Sequence, residues 1–295
     1  MKVLLIDVDS KVSNLALMKI SAYHKAKGDI VGFNVSNPDK VYISCIFSNN
    51  RKKALGIAKM FNCEVEVGGY GVSLTKKLPD EIEHICPDYN LYKMDYSLGY
   101  TSRGCIRNCP WCLIPKAEGS IKEWSPLKEF VRHDKVMLLD PNFLASHLAI
   151  EKLKQIYAWK LKVCFNQGLD IRLIDQENAK LLSKIRYMDD QFKNRRLYFA
   201  FDLPNIEDQV IKGVEILKKA GIPPKHLMFY ILVGFNTTFE EDYHRFEVIK
   251  NLGALPYIMI YNKLNPPKQL THFQRWVNRR YYQFLPFEKY LKKGA

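Results

Sequence analysis

Three cysteines stand within eight residues in the segment Gly104-Cys105-Ile106-Arg107-Asn108-Cys109-Pro110-Trp111-Cys112. Thiolates are soft ligands, and soft ligands select zinc or iron–sulfur centres. The turn-formers between them let one short loop wrap one compact site, so Cys105, Cys109 and Cys112 are the candidate metal ligands. On a cube of four irons and four sulfides, three thiolates leave one iron open, and an open position is what separates a reactive metal site from a structural one. The competing reading is a structural zinc site whose fourth ligand is His133, His84 or a distant Cys. Zinc knuckles usually draw on two separated Cys-x2-Cys pairs, and this chain has one. Cys45, Cys63, Cys86 and Cys164 are dispersed and are expected to be small buried core residues. An odd total of seven, three of them clustered, argues for a metal or redox site over a disulfide framework.

The elements that must position this segment can be read from periodicity. Apolar runs at 3–8, 30–35, 41–47 and 63–69 alternate with helical patterns, the rhythm of a parallel sheet. Ser13 is placed to cap a first helix that Gly28 ends, and RKKALGIAKMF supplies a second. Residues 1–70 thus predict a Rossmann-like open parallel sheet module. Residues 71–94 lose periodicity and carry Gly71, Pro79 and Pro87, which marks a connector with at most one short helix.

A second βα series follows, with strands expected at 96–101, 136–140, 162–166, 197–202, 227–234 and 257–262. Ser125 with Pro126, Asp175, and Thr238 with Glu241 as a capping box are the helix starts. Gly221 and Gly253 stand where helices end in left-handed backbone. Residues 95–262 therefore predict a partial (β/α)6 TIM-like barrel, and the whole an α/β fold. The remaining 263–295 mixes aromatics with Lys and Arg. It predicts a helical extension with aromatics packed inward, the alternative being a surface that stacks on nucleic-acid bases.

The Cys-x3-Cys-x2-Cys spacing after a strand, with an aromatic before the last Cys, resembles the radical S-adenosylmethionine (SAM) superfamily. TSRGCIRNCPWCLIPKAEG is similar to the equivalent segment of methylthiotransferases and of members with cobalamin-binding N-terminal domains. LLDPNF at 138–143 resembles their second-strand segment, and ILVGFNTTFEED at 231–242 their fifth. The matches run from about Gly68 to Asn262, and only the cysteine motif is highly specific. The resemblance implies a 4Fe-4S cluster whose open iron holds SAM, an external one-electron reductant, and cleavage of SAM to methionine and a deoxyadenosyl radical. It places Trp111 near the adenine, and brings Asp140, Asn142, Phe143 and Asn236 toward the cofactor. At the carboxyl ends of barrel strands, where such folds put function, Asp202 could bind the ribose hydroxyls. Gln167, Asp170 and Arg172 form a second polar group there, with the Arg172 fork suited to the SAM carboxylate.

The same resemblance sets limits. Cobalamin-dependent relatives carry a His after the first strand. Asp7-Val8-Asp9-Ser10-Lys11-Val12 has none, and His24 is expected at the surface or half-buried on a helix, so His-ligated cobalamin is not expected. Methylthiotransferases hold a second cluster on three N-terminal cysteines, and two of these have no counterpart beside Cys45.

Lys plus Arg number 45 against 31 Asp plus Glu, a net charge of +14 that favours an anionic substrate such as a nucleic acid or nucleotide. The charges are scattered in pairs, which a Lys-rich composition alone also produces. Modification of tRNA or another nucleic acid, in the manner of a methylthiotransferase, is therefore the alternative enzymatic reading, and a structural metal-binding protein the non-enzymatic one. No apolar run reaches the roughly 18 to 20 residues of a membrane span. The N-terminus MKVLLIDVDS reads as a buried strand, not a signal peptide, so a cytoplasmic location without membrane contact is expected.

Overall fold

The computed structural model describes residues 1–292; the last three residues of the expected 263–295 extension lie outside the described residues. It is a mixed α/β protein with parallel sheets. The chain divides into two compact units, Met1–Pro141 and Asn142–Ala295.

In the first unit, strands β1 (Lys2–Asp7), β2 (Ile30–Gly32), β3 (Lys40–Ser44) and β4 (Glu64–Gly68) form an all-parallel sheet in the order β2-β1-β3-β4. Helices α1 (Leu15–Ala26) and α2 (Arg51–Ala58) supply the crossovers. Alternation in β1 sends Val3 and Leu5 to a core with Leu17 and Ile20 of α1. Leu4 and Ile6 go to the core that holds Val41, Ile43 and Ala54.

Three expectations need correction here. The cap of α1 is Asn14, not Ser13. Its Oδ1 accepts from the Leu17 N–H at 3.1 Å while its Nδ2 donates to Ser44 Oγ at 2.7 Å, so the amide ties the helix start to the end of β3. Helix α2 stops at Ala58 because the Lys59 and Met60 N–H groups turn to Gly56 and Ile57, tightening the last turn. His24 is buried, held between Asp29 Oδ2 at 2.7 Å and the Tyr42 hydroxyl at 3.3 Å.

Helix α3 (Asp80–Glu83) is the one short α-helix of the expected connector. Strand β5 (Ser97–Gly99) follows, shorter than the predicted 96–101, and later pairs in parallel with β8 (Lys135–Leu138). Between them β6 (Ser102–Arg103) and β7 (Lys122–Glu123) pair antiparallel, with α4 (Ile114–Ala117) before β7 and α5 (Leu127–Phe130) after it. Gly99 is required because a Cβ there would lie 2.6 Å from the Phe130 ring.

The second unit contains α6 (Ala149–Ala158), β9 (Lys162–Phe165), α7 (Gln176–Lys184), β10 (Arg186–Tyr187), β11 (Leu197–Ala200) and α8 (Glu207–Lys219). It continues through β12 (Leu227–Val233), α9 (Phe239–Asn251), β13 (Leu255–Ile260), α10 (Lys268–Asn278) and α11 (Phe287–Lys292). Strands β9 and β10 pair in parallel, as do β11, β12 and β13 in that order. Asp175 caps α7 and Thr238 caps α9, each completing a capping box. Arg245 on α9 is fully buried and donates to the carbonyls of Phe201 and Leu232 and to Asp242, binding the carboxyl ends of β11 and β12 together. Helix α10 buries Phe273 and Trp276 against Phe246 and Phe287 and leaves Lys268 and Arg275 exposed. Among the described residues no helix is long and apolar enough to cross a membrane.

Candidate metal centre

The cysteine loop leaves β6 through Gly104, whose φ of +80° is left-handed. A Cβ there would lie 2.1 Å from the Ser120 carbonyl oxygen, so both the conformation and the close approach demand glycine. The next residue is tied across the loop base: the Cys105 N–H donates to the Gly119 carbonyl at 3.2 Å. Inside the loop the Arg107 N–H donates to Cys105 Sγ at 3.3 Å, and the Cys112 N–H to the Cys109 carbonyl at 3.0 Å, a turn that brings the last two cysteines onto one bend. Pro115 then stands in the first turn of α4, where its missing N–H costs nothing.

Cys105, Cys109 and Cys112 are each half-buried, and among the described residues no cysteine is in a disulfide. Among the same residues no three His, Cys, Asp or Glu side chains are gathered as a ready-made ligand group. The donor set nevertheless fits a centre bound by three thiolates. The two histidines offered as a fourth zinc ligand each place Nδ1 against a residue outside the cysteine loop, an arrangement also found in metal-bound histidines. His84 Nδ1 faces Glu129 at 3.5 Å and its ring packs on Trp124, while His133 Nδ1 meets Ser97 Oγ at 3.1 Å. Of the other cysteines, Cys45 and Cys164 are buried as expected, while Cys63 and Cys86 are only half-buried. Burial pushes the Cys45 and Cys164 thiols up, which disfavours the thiolate that metals need.

Asp140 is buried and grips the strand end that feeds this loop. Its carboxylate accepts from the Thr101 N–H at 3.0 Å and hydroxyl at 2.6 Å, and from the Ser102 N–H at 2.5 Å and hydroxyl at 2.7 Å. Its observed bonds make it a backbone latch, a role the sequence did not suggest. Trp111 is half-buried on the loop itself.

The remaining predicted residues belong to the second unit. Phe143 is a core side chain, 1% exposed, packed on Phe165 at 4.9 Å between centroids. Asn142 is buried and its Nδ2 lies 3.5 Å from Asp170 Oδ2. Arg172 directs its fork onto Asp170, Nε to Oδ1 at 2.6 Å and Nη2 to Oδ2 at 3.0 Å. Asp202 accepts from the Leu232 N–H at 2.8 Å. Burial raises its carboxyl above the ordinary value, against the pull of that N–H, of Arg245 and of Arg172. Asn142, Asp170, Arg172 and Asp202 thus form one polar neighbourhood. Gln167 and Asn236 are exposed on nearby loops, Asn236 with a left-handed φ of 52°.

Sequence reasoning missed a buried ionic network at the base of the cysteine loop. Arg103 and Glu118, the charged residues on either side of it, form a fork-to-carboxylate pair, Nε to Oε2 at 3.0 Å and Nη2 to Oε1 at 2.9 Å. The Gly104 N–H also donates to Glu118 Oε2, at 3.1 Å. Tyr70, just beyond β4, donates its hydroxyl to Glu118 and accepts from Arg103 Nη2 at 3.2 Å. Glu83 of α3 accepts from Lys19 of α1 at 2.8 Å and from the Trp124 indole at 3.1 Å, and stands 3.5 Å from Arg103. The Arg103 guanidinium lies against Tyr100 and Trp124, 4.7 and 5.1 Å from their centroids. Burial and then Glu118 push the Tyr70 hydroxyl up to about 12, so it stays a donor at neutral pH.

In comparisons with known proteins, no family model matches this chain and no curated protein matches it.

Proposed function

We propose that the chain is a radical SAM enzyme, holding a 4Fe-4S cluster on Cys105, Cys109 and Cys112 and modifying an anionic substrate. The observation that carries this reading is the donor set: three half-buried thiols on one loop tied at its base. The sequence resemblance of that loop supplies the cofactor chemistry. When bound, the cluster would take one electron from an external reductant and cleave SAM to methionine and a 5′-deoxyadenosyl radical.

The chain's own tasks follow from its residues. Gly104 and Asp140 hold the loop entrance, and the Trp111 indole is an apolar face beside the third cysteine that can exclude water and stack on a nucleobase. In the second unit Asn142, Asp170, Arg172 and Asp202 offer both charge signs to a polar ligand, as hydroxyls and a carboxylate require. The order β2-β1-β3-β4 supports reading the N-terminal sheet as Rossmann-like, and the parallel strand–helix series from β9 to β13 supports a partial barrel. The net charge of +14 favours a nucleic acid or nucleotide substrate.

Anaerobic reconstitution with iron and sulfide, then reduction with SAM and a chromatographic assay for 5′-deoxyadenosine, tests the reading. Deoxyadenosine should form only with the cluster present, vanish in Cys109→Ala and persist in Cys63→Ala. Tight zinc binding with no deoxyadenosine, where a control enzyme makes it, would replace the reading with a structural metal site.

A further inference from the structure

The N-terminal sheet offers none of the three cysteines, yet its residues reach the loop that does. Tyr70 and Lys19 come from the sheet module, Glu83 from the short helix after it, and Arg103, Glu118 and Trp124 from the two sides of the cysteine loop. The charges alternate Lys19, Glu83, Arg103, Glu118, so each buried ion faces an opposite one. The Glu118 side chain is 1% exposed and that of Arg103 12%. Ion pairs this buried gain little net stability, because desolvation offsets their attraction; their best-attested use is to specify geometry.

The geometry specified here is the span of the cysteine loop. The Arg103–Glu118 fork joins the residue two before Cys105 to the residue six after Cys112, and Glu118 also takes the Gly104 N–H. Two parallel charge-assisted bonds hold that span more narrowly than one would. Tyr70 fixes the rotation of the fork from the side, touching both partners.

We propose that Arg103 and Glu118 form a clasp that sets the spacing of the three thiolates, and that Tyr70 makes the N-terminal sheet a positioning element for the metal centre. The clasp rests on the reading of Cys105, Cys109 and Cys112 as ligands, but not on radical chemistry. All three residues are positioning residues; none touches the metal.

The test uses the full chain and cobalt(II), whose thiolate charge-transfer absorption reports the metal site without any turnover. Tyr70→Phe removes one oxygen, and Glu118→Gln removes the charge while keeping the shape. Each should weaken cobalt binding about tenfold, the loss that about 1.4 kcal/mol of loop positioning produces. Tyr70→Phe should leave the melting temperature of the metal-free protein close to wild type, whereas Glu118→Gln, which strands the buried Arg103 charge, should lower it; each should alter the electron paramagnetic resonance line shape of the reduced iron–sulfur form. The double variant should lose less than the sum of the two, since both act through one clasp. Cobalt affinity and line shape unchanged in both variants would overturn the clasp. So would a Tyr70→Phe affinity that falls only in step with melting temperature. Wild-type protein that binds cobalt through its thiolates but makes no deoxyadenosine would defeat the enzymatic reading alone.

Discussion

Two single residues carry opposite lessons about cost and use. At Gly104 the φ of +80° and the Ser120 carbonyl 2.1 Å from any Cβ leave no room for a side chain. Gly104→Ala should therefore destabilise the fold by about 1 to 3 kcal/mol and sharply reduce iron retention, measurable by denaturant titration and iron analysis. Asp202 behaves in the other direction. Its folded carboxyl titrates above the ordinary 3.8, so the folded state resists ionising it and its contribution falls as pH rises through that range. The cost grows as pH rises through the folded value. Asp202→Asn keeps an acceptor for the Leu232 N–H and removes the charge, so it should raise the melting temperature at pH 7. The gain should shrink toward zero below pH 3.8, the ordinary aspartate value, and a calorimetric series across pH reads both.

At the scale of elements, the helix starts at Asp175 and Thr238 were legible because a cap is a local event, whereas the start expected at Ser125 with Pro126 falls at Leu127, with Pro126 in the cap position and Ser125 Oγ donating to Glu129. Thr238 and Glu241 satisfy each other's backbone N–H groups within one turn, and the pattern is visible in four consecutive residues. Thr238→Ala should cost about 1 kcal/mol in chemical denaturation without changing metal content. Asn14 shows where local reading stops. Ser13 and Asn14 are both good caps, and the choice falls to the residue whose amide also reaches Ser44, 30 positions away. Strand β5 was overread for a similar reason, since Thr101 looks like strand yet spends its N–H group on Asp140. The aromatic and basic C-terminal stretch resolved toward packing, because Phe273 and Trp276 at helical spacing bury on one face while Arg275 stays in water.

For the molecule as a whole, the charge of +14 is a property of the sum of its residues and acts at long range. Binding to RNA should weaken steeply with added salt, and the slope of log affinity on log salt counts the phosphates engaged. A slope near zero would remove nucleic acid from the candidate substrates. The division after Pro141 also matters at this scale. It leaves the N-terminal sheet and the cysteine loop in one compact unit, so the sheet is placed to act on the loop.

The three candidate ligands were legible in the sequence because their relation is a spacing along eight residues, which no tertiary arrangement can alter. The alternation of strands and helices was legible because burial imposes a period on every amphipathic element. The clasp was not. Arg103 and Glu118 are 15 positions apart, Tyr70 and Glu118 are 48 apart, and Lys19 and Glu83 are 64 apart. Nothing local distinguishes those residues from the many solvated charges of this chain. Only tertiary packing, which brings Tyr70, Lys19 and Glu83 together with Arg103 and Glu118, removes them from water, and burial is what makes an ordinary charge seek one specific partner.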